Sequence, residues 1–322
     1  MFLGDVRADR HSLFKSTDAG HTWVTSDSGL PGTERINALA RAADTLIAGT
    51  DAGPFVSGDS ARSWSPARVE PNAPVRVLAL AHFQSKVFAG TSEHGLLRSD
   101  DQGRRWISVT GFPPITVRCL AAYPDGLAAG TDTQGVFFSP DIGQSWERRD
   151  AGLPPGAQVF ALSVVNGRLF AGLYSKGLCV WDDRERRWTP AGPVRPLSLA
   201  SVGDTLVAGH NPGGLWWSAD GGVTWKQGVN AQPPGLGFDF GGIARDLPDH
   251  APVWEMGGGG GLVIAGAASG IYRSDDQGRT WERAVTGLPE DSPGVSFLVT
   301  EGLILAGVAR GETSRDRVRT GQ

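Results

Sequence analysis

Seven times along the 322-residue chain the pattern Ser-x-Asp-x-Gly-x-Thr-Trp, or a worn version of it, comes round again. The boxes run Ser16 to Trp23, Ser57 to Trp64, Ser99 to Trp106, Ser139 to Trp146, Trp181 to Trp188, Ser218 to Trp225 and Ser274 to Trp281. Their closing tryptophans stand 41, 42, 40, 42, 37 and 56 residues apart. A repeat of about 40 residues, built of short apolar runs and turn residues, predicts a β-propeller. A second series keeps step with the first: Ala-Gly pairs fall at Ala48, Ala89, Ala129, Ala171, Ala208, Ala265 and Ala306. Two series that both count seven and stay in phase set the number of blades.

The unit ending at Trp106 shows the layout of one blade. Arg76-Val-Leu-Ala-Leu-Ala is followed by a turn, Lys86-Val-Phe-Ala-Gly-Thr, another turn, Gly95-Leu-Leu-Arg-Ser, the box, and a last strand through Val109. That predicts four short antiparallel strands. No segment carries a 3.6-residue apolar period, so almost no helix is expected. The first strand is made of small aliphatic residues, as in Ala38-Leu39-Ala40 and Ala79-Leu80-Ala81, which suits a crowded edge near the propeller axis.

The box has a plain physical reading. A carboxylate accepts hydrogen bonds from the amides of its own turn, and glycine allows the positive φ of a tight hairpin. The box acids are Asp18, Asp59, Asp101, Asp141, Asp183, Asp220 and Asp276; the tryptophans are Trp23, Trp64, Trp106, Trp146, Trp188, Trp225 and Trp281. Each ring is expected to pack between neighbouring blades, contributing roughly 4–6 kcal/mol as an upper bound. These are structural residues. The repeats resemble the Asp-box, or bacterial neuraminidase repeat, propellers found in sialidases, some endoglucanases, sortilin-type receptors and photosystem II assembly factors. The resemblance covers nearly the whole chain and implies a scaffold rather than a chemistry. It also implies that the boxes lie on the hairpin between third and fourth strands, away from the ligand face.

The reading is thus an all-β, seven-bladed propeller over residues 1–308, one domain, with a basic tail from 309 to 322. The chain starts and ends in mid-blade, so its ends are expected to pair into one blade and remove two exposed sheet edges. Two segments compete for the second strand there, Phe2-Leu3-Gly4 and residues 303–308; the latter is longer and follows its own first strand. The formal net charge of −4 gives no general reason to expect nucleic acid or an anionic membrane surface as partner. No run is apolar enough to span a bilayer, and Met1-Phe-Leu-Gly-Asp lacks a signal-peptide shape. A cytoplasmic location is expected as the chain stands, and export where a longer N-terminus precedes it. Cys119 and Cys179 fall on different strands and are expected to be free thiols; no spacing suits a metal, and no cofactor is implied. A monomer is expected.

Function is expected at the turns entering the first strand and joining second to third, which share one face around the pore. Arg35, Arg76 and Arg195 each precede the glycine of their Ala-Gly pair by fourteen residues. Arg118, twelve before its glycine, stands directly ahead of Cys-Leu-Ala-Ala and is assigned the same place, with Gln158 taking it in the next blade. Guanidinium groups near one axis repel unless an anion or carboxylates lie between them, and the arginine fork suits carboxylate or phosphate. Asp51, Glu93 and Asp132 could supply such carboxylates, and His94, Tyr174, Lys176, His210 and Asn211 share the rim.

Two expectations follow. The first is a non-catalytic binding or scaffold propeller whose arginine-rimmed face, with Arg35, Arg76, Arg118, Arg195, Gln158 and His210, recognises an acidic protein, peptide or small anion. The assembly-factor branch of the resemblance points the same way. The second is a glycoside hydrolase or lyase acting on an anionic sugar, with Glu93, His94, Asp132 or Tyr174 in acid-base roles. The sialidase resemblance implies three arginines on a carboxylate and a Tyr-Glu pair. Here Asn37 replaces the proline of its Arg-Ile-Pro element, Tyr123 and Tyr272 lie off the rim, and no glutamate pairs with Tyr174. The endoglucanase resemblance implies a cleft between two propellers, and this chain has one. An insertion at about 229–252, with Phe238, Asp239, Phe240, Arg245, Asp246, Asp249 and His250, is expected on the same face, either as a lid or partner arm or as a passive loop. After it, Trp254-Glu255 replaces the usual small residues and is expected to narrow the pore or carry a buried acid. Gly257 to Gly261 lacks the strand-to-helix context of a phosphate loop.

Overall fold

The computed structural model describes residues 13–32, 34–71, 74–210, 213–230, 253–267, 269–289 and 294–308. Among these there are strands and turns and no helix. The strands form seven blades of four antiparallel strands in a ring, two of them edged by a short parallel strand, Arg68–Glu70 and Val229–Asn230. Blade 1 is built from both ends of the chain: Gly294–Thr300 and Leu303–Val308 inside, Leu13–Ser16 and Val24–Thr25 outside. Phe14 pairs with Ala306 and Ser16 with Ile304, so residues 303–308 fill the disputed place. The rival segment, residues 2–4, lies outside the described residues, as do the tail and all of the insertion except Val229 and Asn230.

Blades 2 to 7 follow in chain order, with first strands Ile36–Ala42, Val77–Phe83, Val117–Tyr123, Val159–Val165, Pro196–Val202 and Val253–Gly259. First strands of successive blades pack on one another around the axis and close on blade 1. Gly257, Gly258 and Gly259 end the blade 7 strand, where a Cβ on Gly258 would sit 2.8 Å from Val202 Cγ2.

Each box makes the bonds its residues allow. In the first, Ser16 Oγ donates to Asp18 Oδ1 at 2.7 Å, while the Thr22 amide and hydroxyl donate to the same carboxylate at 2.9 and 2.6 Å. The Gly20 amide donates to Ser16 Oγ at 2.9 Å, and Trp23 Nε1 to the Gly20 carbonyl at 2.9 Å. These donors hold Asp18 and Asp59 well below the ordinary carboxylate range, and bring Asp141 and Asp220 to about 2, the hydroxyl of the Ser or Thr four residues on acting most strongly. The worn fifth box works differently: Asp183 accepts from Trp181 Nε1 and from Tyr123 OH of the preceding blade, both at 2.9 Å.

The core is divided. The buried side chains form seven clusters, each shared by two neighbouring blades. Trp106, Trp188 and Trp281 are among the most buried side chains of all. The Ala-Gly glycine has a steric cause here. A Cβ on Gly49 would lie 2.4 Å from Val77 Cγ1 of the next blade, and one on Gly266 would lie 2.1 Å from the Gly294 carbonyl oxygen. Glycine lets the inner strands of adjacent blades touch.

A third repeat, read in the sequence only as turns, locks blade to blade. Gly29, Gly152 and Gly287 have φ between 85° and 88°, and a Cβ on any of them would collide with the backbone of the next box tryptophan. The residue before each accepts that tryptophan's amide: Trp64 to Ser28 at 2.8 Å, Trp188 to Ala151 at 2.7 Å and Trp23 to Thr286 at 3.0 Å.

Candidate functional site

Every first strand carries a one-residue bulge at its entry. Register slips between Ile36 and Ala38, Val77 and Ala79, Val117 and Cys119, Val159 and Ala161, Pro196 and Ser198, Val253 and Glu255, and Gly294 and Ser296. The skipped residues are Asn37, Leu78, Arg118, Phe160, Leu197, Trp254 and Val295. A bulged residue is freed from the ladder and can re-aim its side chain. All seven line one cavity at the pore mouth, of about 560 Å³, together with Arg35, Arg76 and Glu255. Below it the channel narrows to about 210 Å³ at the next residues along, Ala38, Ala79, Cys119, Ala161, Ser198, Glu255 and Ser296.

This register corrects the arginine alignment. Ile36, Val77 and Val117 hold equivalent places, so the counterpart of Arg35 and Arg76 in blade 4 is Thr116. Arg118 stands two positions deeper, equivalent to Asn37 and Leu78. The difference of two in its distance from the glycine was a true displacement.

The four arginines differ in their partners. Arg76 Nε pairs with Asp51 Oδ1 at 2.7 Å. Arg118 is held bidentately by Asp132, its Nε donating to Oδ1 and its Nη2 to Oδ2 at 3.0 Å. Its guanidinium lies over the Phe160 ring, 4.8 Å from the centroid, and Tyr174 stacks on Phe160 at 4.9 Å. Asp51 also accepts from Asn37 Nδ2 at 2.8 Å within blade 2, so the Arg76 pair joins blade 3 to blade 2. Arg35 and Arg195 are exposed, and their guanidinium groups make no hydrogen bond or ion pair among the described residues.

The other expected residues spread out from the funnel. Gln158 holds the Arg35-equivalent place in blade 5 and accepts the Tyr174 amide at its carbonyl. His210 sits below its ordinary pKa, through burial first and the Arg195 charge last, with its ring 5.9 Å from Trp216. Glu93 and His94 are on an exposed turn and do not line the cavity; His94 Nδ1 is 2.9 Å from the Ser92 carbonyl. Lys176 is exposed on its turn, and Asn211 lies outside the described residues. No group of three metal-ligating side chains forms among the described residues, and Cys119 and Cys179 are free thiols, both pushed up by burial.

Glu255 is the residue that stands apart. It faces the Ala-Gly glycine of its blade, as Ala38, Ala79, Cys119, Ala161, Ser198 and Ser296 do in theirs. Burial among the first strands pushes its carboxyl up to about 8, against the opposing effect of the Met256 amide and the Arg35 charge.

The BNR/Asp-box repeat pattern matches residues 272–283, the last box. No curated protein matches this sequence. Among solved structures, the extracellular domain of BT4673 from B. thetaiotaomicron superposes with a TM-score of 0.68 at 16% identity, over 88% of this chain and 38% of that one. The chain therefore spans well under half of that relative. YCF48 from Cyanidioschyzon merolae gives a TM-score of 0.60 at 15% identity, over 85% of this chain and 95% of that one. A YCF48 bound to D1 peptide gives 0.63 at 15% identity, over 86% and 93%. The GH74 xyloglucanase from Xanthomonas campestris gives 0.63 at 17% identity, over 94% and 55%. At such identities the likeness is one of fold. The chain is a seven-bladed β-propeller, one of whose boxes matches the BNR/Asp-box repeat.

Proposed function

We propose that the pore mouth is a docking site for an anionic group presented by an acidic peptide or protein, on a scaffold without chemistry of its own. The observation that carries this is the state of Arg35 and Arg195: two exposed guanidinium groups at equivalent strand entries, with no carboxylate partner among the described residues. Arginine forks left open to solvent suit a carboxylate or phosphate from outside. Arg76 and Arg118 are already partnered, and frame the site more than they bind. The peptide-bound YCF48, a propeller of similar fold, supports a peptide as the occupant. The reading as an anionic-sugar hydrolase needs two free acids converging on the arginines. Asp51 and Asp132 are both in ion pairs, Glu93, His94 and Tyr174 do not line the funnel, and Glu255 alone is left.

Titration with a hexaglutamate peptide, followed by calorimetry, tests the site. Arg35→Ala and Arg195→Ala are each expected to weaken binding by about tenfold, the loss of one charge-assisted contact. Rising salt is expected to weaken it further. Equal binding by wild type and both variants would remove this assignment.

A further inference from the structure

We propose that Trp254 and Glu255 form a cation subsite at the floor of the funnel, so that the preferred ligand is a zwitterionic peptide segment. Its acidic group sits at the arginines and a lysine or arginine side chain reaches below. This rests on the reading of the mouth as an anion site and adds a second specificity to it.

Three observations carry it. The first is register. At the Glu255 position the other blades place alanine, serine or cysteine, and where the residue is polar it serves the scaffold. Ser198 Oγ donates to the Val253 carbonyl at 3.0 Å, Ser296 Oγ to the Ile36 carbonyl at 3.0 Å, and Cys119 Sγ faces the Val159 carbonyl at 3.6 Å. Glu255 makes no such bond to a neighbouring blade among the described residues, so it does not do that job. Second, Glu255 makes no ion pair among the described residues, and only the Met256 amide and the Arg35 charge favour its carboxylate, though it lines both the mouth cavity and the channel below. A buried acid with so little to hold its charge is costly, and a cation from a ligand would relieve that cost.

The third is its neighbour. Trp254 is 38% exposed within the funnel wall and carries no ring or cation contact among the described residues, whereas Phe160 is covered by Arg118 on one side and stacked by Tyr174. An open indole face beside a carboxylate is a suitable seat for an ammonium or guanidinium group. The charged groups around that seat are Arg35, Arg76 with Asp51, and Arg118 with Asp132; the Cys119 thiol also faces it. Arg35 is the unpaired one, and it repels a lone cation. A ligand carboxylate on Arg35 removes that repulsion, so acid and base on one segment bind cooperatively. Because burial favours the protonated Glu255, seating a cation releases a proton.

The test compares acetyl-Asp-Lys-amide with acetyl-Asp-norleucine-amide, which differ by one charge at nearly equal shape. Calorimetry near pH 7, in two buffers of unlike ionisation enthalpy, reads affinity and proton flux together. Wild type is expected to prefer the lysine peptide by about tenfold or more and to release protons only with it. Glu255→Gln should erase the preference and the proton release while still binding the norleucine peptide. Trp254→Leu should lower the preference with less effect on proton release. Arg35→Ala is expected to weaken both peptides by about tenfold, through the anion site alone. The proposal is overturned if wild type binds both peptides equally, if Glu255→Gln keeps the preference, or if binding takes up protons. If neither peptide binds wild type, the anion reading falls and this one with it.

Discussion

The Asp-box ring at the outside and the bulge ring at the pore mouth are both sevenfold, yet they use repetition in opposite ways. In the boxes six of seven acids accept from the serine two residues before and from an amide three or four residues after. Residue type hardly varies because backbone amides must be satisfied in the same way each time. At the bulges the backbone repeats and the side chains do not: Asn37, Leu78, Arg118, Phe160, Leu197, Trp254 and Val295 share one place in seven blades. There the fold asks only for a residue and leaves its chemistry open. The difference teaches where to look in a repeat protein: the repeated residues report the scaffold, and the residues that break the repeat at a fixed backbone position report the site.

The strongest way to break this contrast is to delete one tryptophan from each ring. Trp281 is 1% exposed in the cluster between blades 6 and 7, and its indole donates to the Gly278 carbonyl at 2.9 Å. Trp281→Ala is expected to destabilise the protein by about 3–5 kcal/mol in chemical denaturation. Trp254→Ala, in the funnel wall, should cost under about 1 kcal/mol. Comparable losses would mean that the bulge ring also holds the fold.

Seven blades, the box bonds, the closing strand and the free thiols were all legible in the sequence, since each repeats or pairs over a fixed spacing. The glycine before the next blade's box was missed because Gly29, Gly152 and Gly287 read as ordinary turn glycines; their task is contact with a tryptophan 35, 36 and 264 positions away. Arg118 was set level with Arg35 because its neighbours Cys-Leu-Ala-Ala look like the start of a strand; the bulge hides that it already lies inside one. Glu93 and His94 were drawn to the rim by their turn, but a turn fixes which face a residue is on and not how near the axis it stands. Trp254-Glu255 was noticed because it breaks a run of small residues. That is the same signal by which other bulge residues could have been found, one variable position between an aliphatic and a small residue in four of the seven blades.

Acidity separates the two rings a second way. The box carboxylates Asp18, Asp59, Asp141 and Asp220 are lowered from 3.8, so their stabilisation is present above that value and fades as pH falls through their folded values. Glu255 is raised from 4.5 to about 8, so the folded state keeps a proton that the unfolded chain releases. Stability should therefore decline as pH rises from about 4.5 to about 8 and level off above it. Glu255→Gln is expected to flatten that alkaline slope and to gain about 1–3 kcal/mol near pH 8.5, with the acid limb unchanged. An alkaline slope that survives the substitution would place its source elsewhere.

The finest distinction lies within the box ring itself. Six box indoles donate to a backbone carbonyl, among them Trp106 to Gly103 at 2.7 Å, whereas the buried Nε1 of Trp146 has no partner among the described residues. Trp146 still packs edge-on against Phe112, with ring centroids 5.0 Å apart. Phenylalanine can keep that contact and removes the orphan donor. Trp146→Phe is thus expected to change stability by less than about 1 kcal/mol, and Trp106→Phe to cost about 1–2 kcal/mol more, since it strips the Gly103 carbonyl of its donor. Equal costs in the two variants would show that the indole bond contributes little, and that the outer ring is held by its apolar faces alone.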